Sequence, residues 1–389
     1  MMNSRYDNLG VSSTKSDVHS AIQFLDKGLF PNAFCKVLPD ITGRSEEYCN
    51  IIHADTAGTK TSLAYMFWKE SGSLEVWQNI AQDSLVMNLD DLACIGCTDQ
   101  IVISSTIGRN KHLIPQEVIA EIIKGNQAFI QNLQKFDINI YYGGGETADV
   151  GDIVRTIDVG ITAFARMLKK DLIINDIKPG AVIVGLSSSG QSSYENRYNS
   201  GISSNGLTAA RHDILNKSYS VKYPESYAPE SLHEHIYNGS YQLSDKITID
   251  EVTYLVGDLL LSPTRTYLPV IKEILKQHSK DIQGIIHCTG GGQTKVGKFV
   301  KNVRVVKNNL FPLPPVFQLI RNSVEYSVKE MFQIFNMGHR MELYIDAAHV
   351  ESIIDIVKQF QIEAQVIGQV EAHTNTEIII EFEDQIYTF

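Results

Sequence analysis

Asp55-Thr56-Ala57-Gly58-Thr59-Lys60 stands just after the β-branched pair Ile51-Ile52 and reads as a strand that ends in a phosphate-directed turn. A carboxylate at a strand end can hold a divalent cation, Gly58 lets the backbone come close to an oxyanion, and Lys60 adds a charged donor. Asp, Gly and Thr are also ordinary turn residues, so the hexapeptide gains meaning only from what lies downstream.

Working outward, Asn79 to Gly96 has helical periodicity, with Ile80, Leu85, Val86, Leu89 and Ala93 as apolar positions and Gly96 as a C-cap. Asp83, Asp90 and Asp91 fall towards one side of it. Spacing alone favours a solvated acidic face over a converging ligand set. Asp99 to Ile107 reads as a strand, Ile114 to Phe136 as a long amphipathic helix, and Ile138 to Tyr142 as a strand ending in Gly143-Gly144-Gly145-Glu146-Thr147. Three glycines in a row suggest that a ligand or another backbone approaches closely. Neither the dinucleotide fingerprint G-x-G-x-x-G nor the P-loop G-x-x-x-x-G-K-[ST] is present at these turns.

Arg155 to Met167 continues as a strand, and the polar run Lys169 to Gly180 is the candidate domain junction. The second half opens with strand Ala181 to Leu186. A polar excursion then leads through Tyr194, Arg197 and Tyr198 to Ile202-Ser203-Ser204-Asn205-Gly206 and a helix start, where hydroxyl and amide groups make either a cap or an anion site. Leu261-Ser262-Pro263-Thr264-Arg265 leads into helix Thr266 to His278. Strand Gln283 to Cys288 ends in Thr289-Gly290-Gly291-Gly292, a second triglycine turn that hints at two related α+β halves.

The 389 residues, 43% of them hydrophobic, suffice for two packed domains. With 34 basic against 45 acidic residues the net charge is −11, and no basic patch offsets it, so no nucleic-acid partner is expected. Met1 to Gly10, with Arg5 and Asp7, has no apolar leader pattern. The apolar window Thr253 to Ile271 is broken by Asp258, Pro263, Arg265 and Pro269, so a cytoplasmic protein without a membrane span is expected. Cys35, Cys49, Cys94, Cys97 and Cys288 form no disulfide framework, and the lone Cys94-x-x-Cys97 reads as buried thiols rather than a metal site.

Taken together, these motifs resemble the aminoimidazole ribonucleotide synthetase (phosphoribosylformylglycinamidine cyclo-ligase) family. Asp55 to Lys60 is similar to its D-G-V-G-T-K, Asp83 to Asp91 to its D-L-V-A-M-x-V-N-D, and Gly144-Gly145-Glu146-Thr147-Ala148 to its G-G-E-T-A. Ser188-Ser189-Gly190, Ser204-Asn205-Gly206, Ser262 to Arg265, Thr289 to Gly292, Pro314 to Ile320 and Phe335-Asn336-Met337-Gly338 follow in the family's order from about residue 50 onward.

The resemblance implies an α/β (α+β) two-domain architecture, with residues 1–168 as an ATP- and magnesium-binding domain whose sheet forms a homodimer, and 169–389 as the substrate-side domain. It implies Asp55, Asp91 and Glu146 as magnesium ligands and Asp55, Gly58, Thr59, Lys60, Gly143, Gly144, Gly145 and Thr147 as the ATP-phosphate set. Ser203, Asn205, Gly206, Thr264, Arg265, Gly290, Gly291 and Gly292 are implied on the substrate side. The implied activity is ATP-dependent closure of formylglycinamidine ribonucleotide to aminoimidazole ribonucleotide in purine biosynthesis. The alternatives are a small-molecule kinase of the thiamine-monophosphate or selenide type, or an inactive nucleotide-binding homologue.

The chain also departs from the pattern. Pro31 to Phe34 stands where the family is glycine-rich, and Ser203 replaces a histidine and cannot exchange a proton near neutrality. A polar insertion, roughly Gln191 to Ser200, precedes it and is expected to fold over the substrate side with Arg197 on a phosphate. His339 and His287 read as packed rather than catalytic residues.

Overall fold

The computed structural model describes residues 6, 9–12, 16–323 and 327–389. The stretch examined for a leader, including Arg5 and Asp7, lies outside them apart from Tyr6, Leu9 and Gly10. The first half is built on five strands, β1 (Val37–Pro39), β2 (Tyr48–Thr56), β3 (Ile101–Arg109), β4 (Ile140–Asp149) and β5 (Ile157–Leu168), in spatial order β1-β2-β5-β3-β4. Only β3 and β4 run parallel. Alternation along β3 sends Ile101, Ile103 and Ile107 inward and leaves Val102, Ser104 and Thr106 exposed, so one face of the sheet is packed and the other is open.

Helices follow in chain order: α1 (Ser16–Ile22), α2 (Lys60–Ser71), α3 (Val76–Ala93) and α4 (Gln116–Gln134). The second half adds α5 (Leu207–Ile214), α6 (Ser218–Lys222), α7 (Val256–Leu261), α8 (Leu268–His278), α9 (Pro315–Ser323), α10 (Val328–Ile334) and α11 (Val350–Gln359). Its strands are β6 (Val182–Ser187), the hairpin β7 (Lys246–Ile249) with β8 (Val252–Leu255), β9 (Ile282–His287), β10 (Val303–Lys307), β11 (His339–Ile345), β12 (Ala364–Ala372), β13 (Glu377–Phe382) and β14 (Gln385–Thr388). Apart from the hairpin they form one seven-stranded sheet, β14-β13-β10-β12-β6-β11-β9.

Two sequence expectations need correction. The acidic side of α3 is not solvated: Asp83, Ser84, Asn88 and Asp90 are all buried, because the helix packs on β2 and β5 with one side and on α8 of the second half with another. Nor does the first triglycine make a turn. β4 runs through it to Asp149, with a register shift opposite Ile103 to Ser105 and Gly144 at φ +93°, which is a bulge in an edge strand. The hint of two related halves loses its basis, since only Thr289 to Gly292 forms a turn.

The halves share their cores. One apolar cluster joins Leu63 and Trp77 to Tyr237 and Phe317, and the other joins Leu85 and Leu89 to Ile271 and Leu343, so α3 is enclosed by both. At about 25 cal/mol per Å2 of apolar burial, removing either half would expose large parts of both clusters. Among the described residues, no helix is long and apolar enough to cross a membrane, and all five cysteines are free and buried.

Candidate active-site cleft

Three chain turns meet in a cleft of about 230 Å3: Gly58-Thr59 where β2 passes into α2, Asn205-Gly206 at the start of α5, and Gly290-Gly291 after β9. Thr59 and Thr208 hydroxyls are 2.8 Å apart across it. Gly290, Gly291 and Gly292 have φ of +56°, +132° and +50°, a left-handed path that side chains with a Cβ resist. A Cβ on Gly290 or Gly291 would meet nothing closer than Lys295, at 3.8 Å or more, so this backbone faces open space. Gly292 points back instead, where a Cβ would strike the Phe332 carbonyl at 2.3 Å. Ser203, also left-handed at φ +64°, is buried with an Oγ that has no partner. The open backbone at Gly290 and Gly291 fits a site for phosphate oxygens, whereas Ser203 is not among the residues that line the cleft.

Lys60 does not reach this cleft. It is fully buried, its ammonium 2.9 Å from Asp83 Oδ1 and 2.5 Å from the Ser262 carbonyl. Burial lowers its pKa, with Asp83 opposing the shift. Thr264 also points at Asp83, donating through its amide at 2.8 Å and its hydroxyl at 2.5 Å. Asp83 Oδ2 remains without a partner. Lys60 and Thr264 therefore pin α2 and the Ser262 to Arg265 segment to α3, which corrects the expectation that they touch ligands.

Between α3 and the second half runs a chain of ionisable groups. Asp91 accepts from His287 Nδ1 at 2.6 Å and from His53 Nε2 at 3.2 Å. Burial pushes its carboxyl up, but the two imidazoles outweigh this and hold it well below the usual carboxylate range. Arg340 Nε donates to His287 Nε2 at 3.1 Å, so His287 carries its proton on Nδ1. His53 Nδ1 lies 2.9 Å from Asn88 Oδ1, while the Asn88 amide nitrogen donates to the Ser84 and Asp55 carbonyls. Both ring nitrogens of His53 thus face acceptors, which favours the imidazolium. Burial works against the charge, yet Asp91 and Asn88 raise its pKa overall. The neighbouring Asp90 is buried beside Arg340 and accepts from Thr266 Oγ1 at 2.6 Å, and burial raises its pKa.

The magnesium trio does not come together within one chain. Asp55 lies on the same face of β2 as His53 and therefore near Asp91. Glu146 is exposed on edge strand β4, separated from β2 by β5 and β3. Three inter-strand steps amount to about 14 Å, too far for Asp55 and Glu146 to share an ion. Gly143, Gly144, Gly145 and Thr147 lie on the same edge strand and do not line the cleft.

Arg265 is likewise structural. It is 1% exposed, its guanidinium bound to Glu195 at 2.6 and 3.0 Å and to the Ser187 and Ser189 carbonyls at 3.1 and 2.9 Å. Glu195 comes from the insertion, which is ordered: Gly190 bridges Asn199, and the Tyr194 hydroxyl donates to the Thr266 carbonyl at 2.6 Å. Its Arg197 and Tyr198 line neighbouring cavities of about 600 and 430 Å3, not the 230 Å3 cleft, so the insertion is not a lid over Asn205 and Gly290. His339 is buried 3.0 Å from Glu342, and burial lowers its pKa, in line with a packed residue. Burial pushes Glu342 up, but Lys307 and His339 together outweigh it and hold the carboxyl at about 2.

Reasoning from sequence missed His53, Lys295 and Glu195. For His53 a signal existed: two residues before Asp55 on a strand, it had to share that side chain's face. Nothing local distinguished Lys295 or Glu195.

Two family models match: "AIR synthase related protein, N-terminal domain" over residues 35–167 and "AIR synthase related protein, C-terminal domain" over residues 178–381. The chain belongs to the AIR synthase related family. Among its relatives, the phosphoribosylformylglycinamidine cyclo-ligase of Methanococcus vannielii is 28% identical over 340 residues, 87% of this chain and 82% of the relative. That of Methanocaldococcus jannaschii is 29% identical over 83% of this chain and 79% of the relative. Among solved structures, Thermotoga maritima PurL complexed with ADP aligns with a TM-score of 0.55 at 11% identity, covering 99% of this chain and 49% of that one. The same protein complexed with FGAR gives 0.54. The chain spans about half the length of these structures, and they establish the shared fold alone.

Proposed function

We propose that this family member is an ATP-dependent cyclo-ligase that converts formylglycinamidine ribonucleotide to aminoimidazole ribonucleotide in purine biosynthesis, as a cytoplasmic homodimer using magnesium. The observation that carries the proposal is the single cleft in which Gly58-Thr59, Asn205-Gly206 and Gly290-Gly291 face one another. Its chemical setting comes from relatives named as cyclo-ligases along most of their length.

ATP would supply the phosphoryl group that turns the formamide oxygen into a leaving group; the amidine nitrogen then closes the ring and phosphate departs. The chain's own share is positioning and charge stabilisation. Backbone N–H groups at Gly290 and Gly291 and the Asn205 side chain suit phosphate oxygens. The His53 imidazolium, fixed by Asp91 and Asn88, supplies positive charge near Asp55. Lys295, whose ammonium lies 3.9 Å from the Cβ position of Gly290 and over the Phe34 ring, is a cation beside the cleft backbone. For magnesium, Asp55 and Asp91 are the carboxylates on a common side. Glu146 does not fit the set within one chain. The open face of the first sheet, with Ile52, Val102 and Tyr141 exposed, supports the homodimer.

An ADP-release assay tests the reading, with formylglycinamidine ribonucleotide, thiamine monophosphate and selenide offered in turn. Turnover with the first alone is expected. Turnover only with either of the others would replace the ligase with a kinase, and none with any would leave a binding protein.

A further inference from the structure

Away from the cleft, His278, Asp281 and His349 turn ligand atoms towards one point, all within 4.8 Å of one another. We propose that these three residues form a binding site for a divalent transition metal of the zinc class, clipping the end of α8 to the start of α11.

The spacing of the donor atoms is close to what a tetrahedral ion requires. Asp281 Oδ2 lies 2.9 Å from His278 Nδ1 and 3.5 Å from His349 Nδ1. A tetrahedral ion with bonds of roughly 2.0–2.1 Å needs ligand atoms about 3.3 Å apart, so small side-chain adjustments suffice. Two imidazoles and one carboxylate are a donor set suited to zinc, and too rich in nitrogen for magnesium or calcium. Each donor sits on a fixed backbone. His278 is the last residue of α8, the Asp281 amide donates to the His278 carbonyl at 3.0 Å, and His349 closes a helical turn capped by Asp346.

The outer contact fits as well. His278 Nε2 is 2.8 Å from Ser352 Oγ in the first turn of α11. A hydroxyl can donate or accept, so Ser352 serves the ring whether Nδ1 carries a proton towards Asp281 or gives it up to a metal. Asp281 and His349 are partly exposed, which leaves the fourth position to water.

A second convergence, Cys288, His339 and Glu342, carries no such proposal. There the Lys307 ammonium already binds Glu342 and both Gln293 oxygens, so the place of a cation is filled.

The test uses the full chain stripped by a chelator and held in excess magnesium, titrated with zinc by calorimetry and with cobalt by absorption. One equivalent of zinc should bind and raise the melting temperature, and cobalt should show four-coordinate bands without thiolate charge transfer. His349→Ala and Asp281→Asn, both at partly exposed positions, should each weaken zinc binding by about tenfold or more while keeping the circular dichroism of the parent. His373→Ala should change nothing. Absence of binding, binding unaltered in both variants, or a thiolate band would overturn the assignment.

Discussion

His53 illustrates how far a residue's role depends on its partners rather than its type. With Asn88 and Asp91 on its two nitrogens its pKa is raised, so its stabilising contribution is full below the ordinary value of about 6.5 and fades as pH rises through the raised one. Asp91 is the opposite case: its contribution is present above about 3.9 and is lost only as pH falls through its depressed value. Urea midpoints measured across pH should therefore separate the parent from His53→Gln most below pH 6.5 and converge in alkali. A gap that widens with rising pH would refute the imidazolium assignment. Arg265 makes a second case. Glu195→Gln should cost about 3 kcal/mol of stability in denaturant titrations, because it strands a buried guanidinium. A loss confined to substrate affinity would instead restore Arg265 to the ligand side.

At the scale of elements, the packing of α3 decides that Asp83, Ser84, Asn88 and Asp90 are buried. Gly125 of α4 lies against it so closely that a Cβ would stand 2.7 Å from Gln78 Cα and 2.9 Å from Ala81 Cβ. Alanine normally gains about 1 kcal/mol over glycine inside a helix. Here overpacking, at about 1–3 kcal/mol, should win, so Gly125→Ala is expected to lower the melting temperature. An increase would mean that the two helices leave room for a methyl group at this crossing. Deleting residues 191–200 should likewise act through the fold: it removes Glu195 and also Tyr194, which packs edge-on against Phe136 and Phe360. Loss of cooperative unfolding is expected in that variant, not a raised KM in a stable protein.

For the whole molecule, the sheet face bearing the exposed Ile52, Val102 and Tyr141 is the surface that a second copy would cover. Light scattering should give about twice 43.5 kDa for the parent. Val102→Lys together with Tyr141→Lys should shift it to the monomer, since like charges would face each other across the contact. A parent at the monomer mass would remove the dimer, and with it any route by which Glu146 from a second copy could approach the Asp55 side of the site.

Sequence by itself determined β3, α4, β5, β6, α8 and β9 to within a few residues, and the turns at Gly58, Gly206 and Gly290 that frame the cleft, while α2 and the elements after β9 went unread. These are local properties: alternation, helical spacing and the left-handed backbone depend on neighbours a few residues away. Tertiary structure alone decided that Lys60, Thr264 and Arg265 are buried partners of Asp83 and Glu195, that Asp83 and Asp90 of α3 are covered, and that the first triglycine is a strand bulge. Each of those outcomes turns on which distant element covers a given face. The same carboxylate, ammonium or guanidinium is a ligand when left open to a cleft and a structural ion pair when a second half of the chain closes over it.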